Sequence, residues 1–160
     1  MEQHIEYVQQ LIRQGGPEVA DYEELDDWIA EVAEHARTGK LTEEEIDTLR
    51  MAFCDAISVK TMQGFVFNKP HGYAGDYEII DRIYQTYIAP DSHLSRWDKY
   101  MQTHAASDAV RNRKTYLHQV LDTCSRQSGK PSIEVLNVAS GPGRDMLEYL
   151  ERKARGGGIL

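Results

Sequence analysis

The stretch IEVLNVASGPGRD, residues 133–145, is where residue type and spacing bear most directly on chemistry. Val135, Leu136 and Val138 form an almost continuous apolar run, as a parallel strand covered on both faces requires. The chain then turns through Ala139, Ser140, Gly141, Pro142 and Gly143 into a helix carrying Met146, Leu147 and Leu150. Small residues at 139, 141 and 143 leave main-chain N–H groups uncovered at a helix N-terminus, where a polar or anionic ligand can be held. The chemistry of such a turn is binding. A dinucleotide fingerprint GxGxxG needs a glycine at 146, which is Met146 here, and the phosphate-binding pattern GxxxxGK[ST] is absent.

A second segment, residues 65–76 (FVFNKPHGYAGD), crowds aromatic, basic, proline and glycine residues between two helical patterns. Gly72 and Gly75 permit positive φ or close backbone approach, and Tyr73 between them can present a phenol to a ligand. The same residues also serve a plain turn, with Asp76 as N-cap of the next helix, and on the residues alone this structural reading is favoured. Arg111 and Arg113 stand at the start of a later helix, where the dipole disfavours cations unless an anion, an acidic partner or solvent offsets them. Cys54 and Cys124 are isolated within helical patterns and read as small buried apolar residues. The six histidines show no HExxH or similar ligand spacing, and no metal site is expected.

The elements that must position these segments are helical. Residues 4–13 show amphipathic spacing that ends at Gly15-Gly16-Pro17. A second helix begins at Asp21, whose pairing with Glu24 approximates a capping box, and runs to Gly39 with Leu25 and Ile29 on its apolar face. Thr42 and Glu45 form a clearer box, opening a long helix expected to continue to about Met62. A helix with Ile79 and Ile83 follows Asp76, then one with Leu94, Trp97 and Tyr100, then one from Ser107 or Asp108 through Cys124. Apolar stripes of this kind need partners, so a helical bundle is expected. The turn-rich SGKPS at 128–132 marks the boundary between a helical domain, 1–128, and the start of a second domain, 129–160.

Composition limits the function classes. The net charge is −8, yet residues 18–47 alone carry −10, leaving +2 elsewhere. This balance argues against nucleic-acid binding, which uses clustered Lys and Arg, and the acidic block reads as a solvated helical face. No apolar run approaches the roughly 18 residues of a membrane span. The first residues lack a signal-peptide pattern, so a cytoplasmic location is expected.

Asn137-x-Ala139-x-Gly141-x-Gly143 resembles the (D/E)xGxGxG pattern of class I S-adenosylmethionine-dependent methyltransferases, departing from it at Asn137 and Ala139. Read together, KPHGYAGD at 69–76, AVRNR at 109–113 and VASGPGRD at 138–145 resemble a bacterial methyltransferase group with a helical N-terminal region. That group is described as making 3-hydroxypalmitic acid methyl ester, an extracellular signalling factor. The resemblance covers about residues 60–150. It implies a mainly α chain, a helical cap bundle followed by the first β-α unit of a Rossmann-like methyltransferase domain, and methyl transfer to a small or fatty-acid carboxylate. By the same resemblance, Ala139, Ser140, Gly141 and Gly143 would line the methionine end of S-adenosylmethionine, with Asp145 adding a polar contact. Gly72, Tyr73, Gly75 and Asp76 would belong to a lid, and Arg111 or Arg113 would meet the substrate carboxylate. No catalytic residue is assigned.

The acid that grips the cofactor ribose is expected about 20 residues past the glycine turn, whereas the sequence stops 17 residues after Gly143 in GGGIL. The expectation is therefore a truncated methyltransferase without turnover on its own. An unpaired strand at 133–138 should pack with the helix that follows it against the helical domain, or pair across a homodimer. The alternative is a non-enzymatic helical interaction module with a vestigial cofactor loop.

Overall fold

The computed structural model describes residues 1–73 and 76–155. Among them it is mainly helical and contains no strand. The helices are α1 (Glu2–Arg13), α2 (Tyr22–Arg37), α3 (Glu43–Ala52), α4 (Met62–Asn68), α5 (Tyr77–Tyr84), α6 (Ser92–Thr103), α7 (Ala105–Ser128) and α8 (Arg144–Arg155). Short 3-10 turns occupy Val19–Asp21 and Cys54–Ile57. The chain divides into two compact units, Met1–Ala74 with Tyr87–Thr103, and Gly75–Thr86 with His104–Leu160. Neither unit begins at the SGKPS turn.

The first unit is built on a core of Leu11 from α1, Leu25 from α2, Ala56, and Trp97 and Tyr100 from α6, with Tyr22, Trp28 and Phe53 packed against it. Leu25 is 1% exposed, a burial that contributes roughly 1.5–3 kcal/mol. Ile29, expected on the same face, is exposed instead. The Thr42–Glu45 capping box forms as its spacing predicts, Glu45 N donating to Thr42 Oγ1 and Thr42 N to Glu45 Oε2. The box expected at Asp21 and Glu24 does not. Asp21 instead accepts from Glu18 N at 2.8 Å and closes the preceding 3-10 turn.

The long helix expected from Thr42 to Met62 is interrupted. It stops at Ala52, Cys54 takes a left-handed φ of +50°, and a new helix starts at Met62. The restart is fixed by Thr61, which caps Gly64 N, and by Asp98 of α6, whose fully buried carboxylate accepts from Met62 N at 2.7 Å and Ala89 N at 2.7 Å. Both cysteines are exposed, against the expectation of burial. Cys54 lies in the break rather than on an apolar helical stripe.

In the second unit α5 packs on α7 and α7 on α8. Asp76 caps α5 as predicted, its Oδ1 accepting from Glu78 N at 2.8 Å and Ile79 N at 3.2 Å. Gly129, at φ +62°, ends α7. The strand expected at 133–138 does not form within the described residues. The segment is irregular, with Val135, Leu136 and Val138 exposed at 47%, 88% and 77%. A strand takes its hydrogen bonds from a neighbour, and none is present there. The helix after the turn does find a partner, since α8 buries Tyr149 and docks on α7. Residues 156–160, expected to begin a further strand, lie outside the described residues.

Candidate functional site

The glycine turn has an unusual backbone. Ala139, Gly141 and Gly143 have φ of +55°, +57° and +67°, so every second residue is left-handed. Left-handed residues of this kind occur in backbone nests that hold anions, although Pro142 contributes no N–H here. Gly143 N is used within the turn, donating to the Ser140 carbonyl at 3.0 Å, and Leu147 N donates to the Gly143 carbonyl at 2.9 Å as α8 begins. Ala139, Ser140 and Gly141 are exposed, whereas Gly143 and Asp145 are half-buried. Position 139, where the (D/E)xGxGxG pattern has its first glycine, thus adopts the conformation that glycine favours, at a cost of about 1–2 kcal/mol for alanine.

Four side chains hold the turn and its helix within this unit. Arg144 forms a bidentate pair with Asp81 of α5, Nη2 lying 3.0 Å from Oδ2 while Nε bonds Oδ1. The guanidinium holds the Asp81 carboxyl below the usual carboxylate range. His118 of α7 donates from Nε2 to the Asp145 carbonyl at 2.7 Å, and Lys114 pairs with Glu148 at 2.6 Å. Further along α8, Lys153, Arg152 and the Tyr149 hydroxyl converge on Asp122, with Lys153 the strongest of several influences that lower its pKa. Asp81, Lys114, His118 and Asp122 were not predicted as positioning residues, because their partners lie 27 or more residues away and no local pattern joins them.

Of the 65–76 segment, Asp76 is the described residue that belongs to the same unit as the glycine turn. Tyr77 begins α5 directly after GYAGD, and a methyl group placed on Gly141 would lie 4.0 Å from its Cβ. Asp76 is fully buried, and its Oδ2 has no hydrogen-bond partner among the described residues. Gly75 lies outside those residues. Gly72 and Tyr73 belong to the first unit, Gly72 at φ +92° in a turn closed on the Lys69 carbonyl and Tyr73 55% exposed. Asp145 Oδ1 accepts from Met146 N at 2.8 Å, satisfying a helix-terminal donor. Arg111 pairs with Asp108 one turn back on α7 at 2.5 Å, and Arg113 donates to the Tyr84 hydroxyl at 3.2 Å. Because α7 begins at Ala105 and not at Ser107 or Asp108, both arginines lie beyond its first turn, where the dipole penalty expected of them has faded.

No family model, curated protein or solved structure matches the chain. No helix among the described residues is long and apolar enough to cross a membrane.

Proposed function

We propose that residues 137–145 form the methionine end of an S-adenosylmethionine site, and that the protein serves methyl transfer to the carboxylate of a small or fatty acid. The observation that carries this reading is the left-handed backbone at Ala139, Gly141 and Gly143 immediately before α8. It gives the departure at Ala139 the same conformation as the two glycines and leaves the exposed edge of the turn open to a ligand. Ser140 and Gly141 would supply main-chain N–H groups to the methionine carboxylate, aided by the N-terminal dipole of α8. Asp145 would supply a polar contact near the methionine end. The cofactor brings an electrophilic methyl, and a carboxylate oxygen lone pair forms the new C–O bond as the C–S bond breaks and its electron pair returns to sulfur. Such a displacement needs no protein nucleophile, only orientation and exclusion of water. The β-α unit of a Rossmann-like domain enters this proposal as the state in which Val135, Leu136 and Val138 gain strand neighbours.

Calorimetric titration of S-adenosylmethionine into the protein tests the reading. One equivalent should bind, and Gly141→Val should weaken binding at least about tenfold, since a β-branched residue at φ +57° is strained and its side chain covers the N–H groups. A folded protein that binds no cofactor would favour the alternative, a helical interaction module.

A further inference from the structure

The acidic first unit contains a cluster that the histidine spacing alone conceals. Glu31 and His35 stand four apart on α2, on one face of the helix. His4 of α1 joins them, so that one ligand atom from each of the three lies within 4.8 Å of the others. Ligands of a tetrahedral zinc-class ion, each about 2.0–2.2 Å from the metal, sit about 3.3 Å apart. Closing 4.8 Å to that spacing takes small side-chain rotations, which the half-buried His4 and His35 and the exposed Glu31 allow. His4 and Glu31 also line an open depression of ≈ 370 Å³ that carries Glu24 and Asp27. Its acidic wall favours a cation, and its opening leaves room for a water as fourth ligand.

We propose that His4, Glu31 and His35 form a binding site for a first-row divalent cation of the zinc class. Two imidazoles and one carboxylate are a ligand set that zinc accepts with an open fourth position. The hydrogen bond at His4 sharpens the proposal. Trp28 Nε1 donates to His4 Nδ1 at 3.1 Å, so the one lone pair of the neutral ring is occupied by an indole proton. A metal at Nδ1 displaces that proton directly. A metal at Nε2 requires the ring proton to move to Nδ1, which then cannot accept from Trp28. By either route metal binding breaks the Trp28–His4 bond, and the indole acts as a competitor for the site.

The test is a titration of the purified, metal-free chain with Zn²⁺ by calorimetry, and with Co²⁺ by visible absorption and tryptophan fluorescence. The proposal expects one equivalent bound, with a fluorescence change that saturates at the same stoichiometry. Glu31→Gln and His35→Gln should each weaken binding at least about tenfold, consistent with loss of one of three ligands. His93→Gln, which alters a histidine paired with Asp55, should leave affinity unchanged. Trp28→Phe should tighten binding about threefold to tenfold, the worth of one net hydrogen bond. Should Trp28→Phe fail to fold, tryptophan emission during the Zn²⁺ titration reports the same bond in the native protein, because the closed-shell ion does not itself quench; an emission unchanged at saturation would overturn the competition by Trp28. Absence of binding, or binding indifferent to both Glu31→Gln and His35→Gln, would overturn the site.

Discussion

Breaking the Arg144–Asp81 pair is the most informative perturbation of the glycine turn. The pair is bidentate, and its side chains are 28% and 24% exposed. Fully exposed pairs are worth about 0.2–1 kcal/mol, and breaking a buried pair costs about 3–5 kcal/mol. A charge-assisted fork that is about three-quarters buried falls between these limits, near 1.5–2 kcal/mol. Asp81 also accepts from Gln85 and lies near Lys114, so single substitutions mix several losses, and a double-mutant cycle is needed. Asp81→Asn, Arg144→Gln and the double variant should be compared by amide hydrogen exchange over Met146–Leu150, which reports the local opening of α8. Since 1.4 kcal/mol is a factor of ten, the coupling should appear as about 10- to 30-fold in exchange rate. If the two single effects add within about 0.3–0.5 kcal/mol, the expected accuracy for independent sites, the pair does not fix the helix and this account of the turn fails.

Other outcomes follow from the same geometry. Ala139→Gly should stabilise the second unit by about 1 kcal/mol, because it relieves the left-handed alanine; urea unfolding measures it, and a loss of stability would mean that the turn takes another conformation. Asp98→Ala should cost the first unit about 4 kcal/mol, leaving two buried N–H donors, of Met62 and Ala89, without an acceptor at roughly 1–3 kcal/mol each. The docking of α8 should be acid-sensitive. Asp81 and Asp122 both titrate below their ordinary range in the folded chain, so their contributions are complete above the unfolded carboxylate pKa of about 4 and are lost as pH falls through the folded values. Near-ultraviolet dichroism of Tyr149 should therefore hold at pH 6 and fade below about pH 4, with the fading reduced in Asp122→Asn.

What could be read from the sequence was what is local in the chain. The Thr42–Glu45 box and the Asp76 cap depend on residues at most three apart, and both form as expected. Leu94, Trp97 and Tyr100 repeat at helical spacing and lie in the first unit's core region. The restart at Met62 was hidden because part of what fixes it is distant: the carboxylate of Asp98 lies 36 residues beyond the Met62 amide it holds. The strand at 133–138 failed for a related reason. Its apolar pattern states a preference, but pairing requires a neighbour, and no described residue supplies one. In the candidate site, the exposure of the turn's backbone followed from the small residues at 139 and 141, whereas the restraint of the turn by Asp81, 63 residues from Arg144, did not. The Glu31–His35 spacing was visible, yet His4 joins it only through the packing of the first unit.

The central claim is that the turn at 139–145 binds the methionine end of S-adenosylmethionine. Amide chemical shifts of the ¹⁵N-labelled protein, followed through a titration with the cofactor, address it directly. The account predicts saturable shifts that are largest at Ser140, Gly141, Gly143 and Asp145 and absent in Gly141→Val. Saturation with those amides unmoved, or no saturable change in a folded protein, would contradict it.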